Sequence, residues 1–173
     1  MARNGPGRSC EAPIAGTSWS GHPFLLNMRP VLPGSGGLTS RGDMDRADRE
    51  IAMLETLAAK GLPTAAVVGK TMVHGQPAII FERYSGSSTD IVRNQSVVDD
   101  RLLNEASLAS LSRIRAVMLE TPIAVGQLNL LIRSDGAFVL SDPGAVWDGR
   151  PPPQDQVALI DLLLSAAEAK VGR

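Results

Sequence analysis

The chain has 173 residues, 43% of them hydrophobic and 20% charged, with 17 Lys and Arg against 18 Asp and Glu and a net charge of −1. A chain of this length is one ordinary domain, or one domain with a tail, and buries about 70% of the surface its unfolded form exposes. Near-neutral charge leaves no electrostatic footprint for nucleic acid, and aromatic residues at 3% give bases few rings to stack on.

A single cysteine, Cys10, precludes an internal disulfide, and His22 and His74 lack the partners of a zinc site. No apolar run approaches the roughly 20 residues of a membrane span. Residues 1–20 lack the apolar stretch of a secretory signal, so the expectation is a cytoplasmic protein or one exported by another route.

In chain order, residues 1–20 are rich in Gly, Pro, Ser and Ala and read as a loose N-terminal arm. Phe24–Arg29 is a strand between Pro23 and Pro30. Residues 30–43 carry prolines and four glycines and read as loop; the Gly-rich run at 33–37 is followed by no Lys-Ser/Thr, so it is not a Walker-type phosphate loop. A helix is predicted from Asp45, because Ile51, Leu54, Leu57 and Ala58 share one helical face, and Gly61 with Pro63 ends it. Ala65–Val68 and Thr71–Val73 are β-rich, His74-Gly75-Gln76 is a tight turn, and Ala78–Tyr84 is a strand closed by Ser85–Ser88.

The longest helix is predicted from Asp100 to Leu119, with Leu108, Leu111, Ile114, Val117 and Met118 on one side and Pro122 at its end. Leu128–Ile132 and Ala137–Leu140 flank Ser134-Asp135-Gly136, and Asp-Gly between two apolar runs is a strong hairpin signal. A proline-rich loop at 150–153 leads to a last amphipathic helix over Asp155–Lys170. Strands and helices segregate rather than alternate, so the fold class is α+β with antiparallel pairing.

The chemistry-bearing residues form an ordered set. Glu50 sits on the first helix, and Glu82-Arg83-Tyr84 leaves the strand that contains Phe81. Asn129 opens the second hairpin and Asp142 closes it, before Pro143-Gly144. Asn129 is a polar amide between Leu128 and Leu130, and such a group usually needs a partner. A carboxylate at a strand end suits Mg²⁺, which takes hard oxygen ligands and keeps water and phosphate for the rest. Taken singly, Glu50 also reads as a solvated helix residue and Asp142 as a turn residue.

Over residues 22–165 the set resembles a protein-kinase-like catalytic domain. It is most similar to the very small kinase-like bacterial effectors and polymorphic toxins, among them the type III effectors that phosphorylate a host heat-shock chaperone. Gly61-Leu62-Pro63-Thr64 and the Asp142-Pro143 pair are part of that likeness. The resemblance implies a reduced kinase-like fold, with a small antiparallel sheet lobe over residues 21–86 and a reduced helical lobe over 87–173.

The same resemblance implies ATP and Mg²⁺ as cofactors and a protein hydroxyl as substrate, a host chaperone being the family's target. Glu50 takes the place of the C-helix glutamate, Phe81 that of the gatekeeper, and the backbone groups of Glu82 and Tyr84 bond the adenine edge. Asn129 and Asp142 hold the metal. Two positions depart from the family pattern. Asn27 stands where the phosphate-binding lysine belongs, with Arg29 one step further along the same strand face. Gln127 stands where the catalytic aspartate belongs, and an amide accepts no proton as a carboxylate does. Those departures keep two other readings open, a pseudokinase that binds nucleotide without turnover and an α+β interaction protein without a nucleotide site.

Overall fold

The computed structural model describes residues 27–30, 40–73, 76–92 and 102–172. The predicted N-terminal arm, the first residues of the Phe24 strand, the loop at 31–39, the His74-Gly75 turn and the Asp100 start of the long helix lie outside the described residues.

Strand β1 is Asn27–Pro30 and helix α1 is Ser40–Ala59, beginning five residues before the predicted Asp45. α1 ends in a Schellman closure: the N–H of Leu62 donates to the carbonyl of Leu57 over 3.1 Å and that of Gly61 to Ala58 over 2.9 Å. β2 (Val67–Val73) unites most of the two predicted β-rich runs, with a register shift between Val67 and Gly69. It forms a hairpin with β3 (Gln76–Phe81), which stops three residues short of the predicted Tyr84. The sheet order is β1-β3-β2, all antiparallel, so the first strand pairs with the second strand of the hairpin.

The Ser85–Ser88 stretch, read as a strand terminator, instead holds the short strand β4 (Gly86–Ser87) and opens helix α2 (Ser88–Val92). Helix α3 is Glu105–Glu120. Asn104 caps it by accepting from the N–H groups of Ala106 and Ser107, and Ser107 Oγ accepts from the N–H of Asn104 in return. β5 (Ile123–Val125) follows, then the hairpin β6 (Asn129–Ile132) and β7 (Phe138–Ser141), then β8 (Val146–Asp148) and helix α4 (Gln154–Val171). The predicted 134–136 turn is present and α4 lies close to its expected span, but α3 starts at Glu105 rather than near Asp100 and, at 16 residues, is not the longest helix, since α1 has 20 and α4 has 18.

β4, β6 and β7 form one antiparallel sheet and β5 and β8 a two-stranded ribbon. The chain is α+β, as the segregation of elements implied. One core joins the parts: Leu54 and Leu57 of α1, Ile79 and Phe81 of β3, Leu111, Ile114 and Met118 of α3, Leu130 and Leu140 of the hairpin, and Ile160 and Leu163 of α4 are all buried within it.

The segment after α1 is laced to β7. The N–H of Ala65 donates to Leu140, and that of Leu140 to Pro63, each over 2.8 Å. These two hydrogen bonds tie the segment after α1 to β7, and α1 shares a groove with the residue that leaves β7, Asp142.

Candidate functional site

Hairpin β6–β7 puts Asn129 opposite Ser141, so the first residue of one strand and the residue after the other lie at the same open end. There Asn129 Nδ2 donates to the main-chain carbonyl of Asp142 over 3.4 Å and to Gln127 Oε1 over 3.3 Å. Asp142 has φ +43, a left-handed conformation that L-residues other than glycine adopt at a cost of about 1–2 kcal/mol. Asp and Asn tolerate it best, and such backbone conformations concentrate at functional sites.

Two cavities flank this hairpin end. One, of about 250 Å³, is lined by Phe81, Ser87, Ser88, Thr89, Asn129 and Ser141 among others. Phe81 is 4% exposed and forms an apolar wall, while Ser88 and Ser141, both buried, supply hydroxyls. The second is an open groove of about 840 Å³ between α1 and the segment leaving β7. Arg46, Arg49, Glu50 and Lys60 line it from the helix, and Asp142 and Asp148 from the other side. Asn129 thus faces the first cavity and Asp142 the second.

The structure therefore brings together four of the residues singled out in the sequence. Phe81 and Asn129 share one cavity, Asn129 touches Asp142, and Asp142 shares a groove with Glu50. Gln127, exposed, joins them through Asn129. The backbone register sets Asn27 opposite Phe81 and Arg29 opposite Ile79; the side chains of Asn27 and Arg29 lie outside the described residues.

Glu82 and Tyr84 follow β3 and are not among the residues lining these two cavities. The N–H of Glu82 is committed to the carbonyl of Ala66 over 3.2 Å. The Tyr84 hydroxyl accepts from the N–H of Ala66 over 2.8 Å, and burial raises its pKa above the ordinary phenol value, with the Ala66 bond opposing. These two bonds clasp the segment after β3 to the start of β2.

Sequence reasoning missed the basic side of the groove. Arg46, Arg49, Met53, Thr56 and Lys60 recur at three- and four-residue steps, one helical face, and that spacing was the available signal. It also missed β8, whose Asp148 accepts from Lys60 Nζ over 2.8 Å, the charged hydrogen bond that holds this exposed carboxyl below its usual range. Gln156 of α4 was missed as well: its Nε2 donates to the carbonyl of Val125 over 2.7 Å, inside the core at the base of the Gln127–Asn129 turn.

Mg²⁺ fits the oxygen chemistry present. Asn129 donates from its amide nitrogen to two acceptors, which leaves Oδ1, and Asp142, whose main-chain carbonyl is one of them, carries a carboxylate. One carboxylate and one amide match an ion that takes its remaining ligands from water and phosphate. Among the described residues there is no cluster of three or more His, Cys, Asp or Glu that would hold a metal without a nucleotide. No helix of the described residues is long and apolar enough to cross a membrane.

A sequence-family model described as the type III secretion system effector HopBF1 kinase domain matches residues 36–171, well over half of the chain. No curated protein matches it.

Proposed function

The chain belongs to the family of type III secretion system effector HopBF1 kinase domains, and from that premise we propose that it is an ATP- and Mg²⁺-dependent phosphotransferase that acts on a hydroxyl of a host protein. The observation that carries the reading is the contact of Asn129 with Asp142 at one hairpin end, between an apolar pocket and a charged groove that Glu50 lines with Asp142. In kinases a strand lysine paired with a helix glutamate holds the α- and β-phosphates, and an aspartate and an asparagine hold the metal.

In this reading Asp142 and Asn129 Oδ1 hold Mg²⁺, which when bound neutralises charge on the phosphate oxygens. Glu50 orients a cation, Arg29, against the phosphates in place of the lysine missing at Asn27. Phe81 closes the rear of the base pocket. With the Glu82 N–H committed to Ala66, its carbonyl is the group left to accept from the adenine amine, and the Tyr84 N–H donates to the ring. The substrate hydroxyl oxygen attacks the γ-phosphorus, the bond to the β–γ bridging oxygen breaks, ADP leaves and the hydroxyl proton passes to solvent or phosphate. Phosphoryl transfer depends mainly on positioning and charge neutralisation, so the absence of a carboxylate at Gln127 slows it without abolishing it. In this reading the described residues of 21–86 belong to the small lobe and those of 87–173 to the reduced helical lobe, and a host chaperone is the target that the family resemblance suggests.

A second reading, a pseudokinase, is favoured by the amide at Gln127, which accepts a hydrogen bond from Asn129 and offers no carboxylate to take the hydroxyl proton. Incubation with γ-labelled ATP and Mg²⁺ or Mn²⁺ separates the two. Label on the chain itself or on a protein partner supports the kinase. A thermal shift with Mg·ATP and no label, under conditions where an active kinase is labelled, supports the pseudokinase.

A further inference from the structure

A primary amide has two N–H donors and one carbonyl oxygen. Asn129 Nδ2 donates to Gln127 Oε1 over 3.3 Å and to the Asp142 carbonyl over 3.4 Å, so both bonds engage the nitrogen and neither uses Oδ1. The terminal torsion of an asparagine is broad and roughly two-fold. Without the acceptors the amide can turn over and offer an NH₂ group, which binds no cation, where the oxygen stood.

One acceptor is main chain and fixed by the hairpin. The other belongs to Gln127, whose own backbone is pinned. Its N–H donates to the carbonyl of Pro143 over 3.0 Å, and the N–H of Gly126 donates to Ala145 over 2.8 Å. The two segments approach so closely that a Cβ on Gly126 would lie 3.1 Å from the nitrogen of Ala145 and 3.2 Å from the oxygen of Pro143.

We propose that Gln127 is a positioning residue that fixes the amide of Asn129 with Oδ1 available as a ligand for a divalent cation. It acts through Asn129 and not on the substrate hydroxyl, a role that needs an acceptor oxygen at this position and not a proton-accepting carboxylate. The inference rests on the reading of Asn129 and Asp142 as metal ligands.

The test is Mn²⁺ titration of the full chain with a non-hydrolysable ATP analogue, followed by electron paramagnetic resonance. Gln127→Met keeps the length and loses the acceptor; it is expected to weaken Mn²⁺ binding about tenfold or more, the scale of outer-shell changes at metal sites. Gln127→Glu keeps the acceptor and is expected to bind at least as tightly as the wild type. In an Asn129→Asp background either orientation offers an oxygen, so adding Gln127→Met is expected to cost nothing further. Unchanged binding by Gln127→Met, equal loss by Gln127→Met and Gln127→Glu, or a further loss in the Asn129→Asp background would overturn the proposal. Absence of Mn²⁺·nucleotide binding by the wild type would instead overturn the metal reading of Asn129 and Asp142.

Discussion

Asn129 and Asp142 are tied to each other at the open end of one hairpin, side-chain amide to main-chain carbonyl, over 3.4 Å. Each thereby depends on the other for its place, since Asp142 holds a left-handed backbone and Asn129 needs that carbonyl to orient its amide. Residues that act as a unit are strongly non-additive when removed. Asn129→Ala and Asp142→Ala are each expected to lower phosphate transfer at least about 100-fold, a loss of roughly 2.7 kcal/mol of transition-state stabilisation. The double variant is expected to be little worse than the poorer single one. A double-mutant cycle on kcat/KM reads this, and simple additivity of the two losses counts against a shared site.

Tyr84 is the only tyrosine in the chain, so its titration is read directly by absorbance. Burial raises its pKa, so the folded state favours the neutral phenol. The stability this group contributes is complete below the unfolded value of about 10 and is lost as pH rises through the higher folded value. Tyr84→Phe removes the acceptor for the Ala66 N–H and is expected to cost about 0.5–1.5 kcal/mol near neutral pH. The gap between wild type and variant is expected to narrow above pH ~10 in denaturant titrations; a gap that widens there contradicts the assignment.

Gly136 has φ +89 in the turn between β6 and β7, and a Cβ there would lie 2.4 Å from the carbonyl oxygen of Leu102 and 2.5 Å from Asn104 Nδ2. The same turn is bound to α3, since Ser107 Oγ donates to the Gly136 carbonyl over 2.8 Å. Gly136→Ala is expected to destabilise the fold by about 1–3 kcal/mol from the backbone conformation alone, with the clash adding to it. Urea unfolding measures it, and a change below about 0.5 kcal/mol would contradict the packing described.

Asp148 and Lys60 fasten β8 to the C-terminal end of α1. The hydrogen bond to Lys60 lowers the Asp148 pKa, so its contribution is present above the unfolded carboxyl value and lost as pH falls through the lower folded one. Thermal midpoints of wild type and Asp148→Asn are expected to differ modestly at neutral pH and low salt. They converge as pH falls through that lowered folded value and in about 0.5 M salt, because exposed pairs are weak and screened. A difference that persists in acid would assign Asp148 another role.

Local chemistry made part of this molecule readable in advance. The Asp135-Gly136 turn, the Gly61-Pro63 stop and the apolar faces of α1, α3 and α4 follow from φ preferences and the 3.6-residue period. Glu50, Asn129 and Asp142 were recognisable as an ordered set before any geometry. What stayed hidden depends on pairing across distance. β5 and β8 are three residues each and become strands only because Val125 meets Val146 and Ile123 meets Asp148. Ser85–Ser88 looked like a terminator because its residues favour turns, yet Gly86 and Ser87 find partners in Ile132 and Leu131. Gln127 was legible as a substitution at an expected aspartate, but its bond to Asn129 was not, since nothing in the sequence states where an amide points.

Equilibrium binding tests the metal·nucleotide site proposed at Asp142 and Asn129 without reference to any substrate. The wild-type chain is expected to gain thermal stability with Mg²⁺ and ATP together by more than with either alone, and Asp142→Ala is expected to lose that metal-dependent gain while still unfolding cooperatively. A gain of equal size in Asp142→Ala would contradict the account.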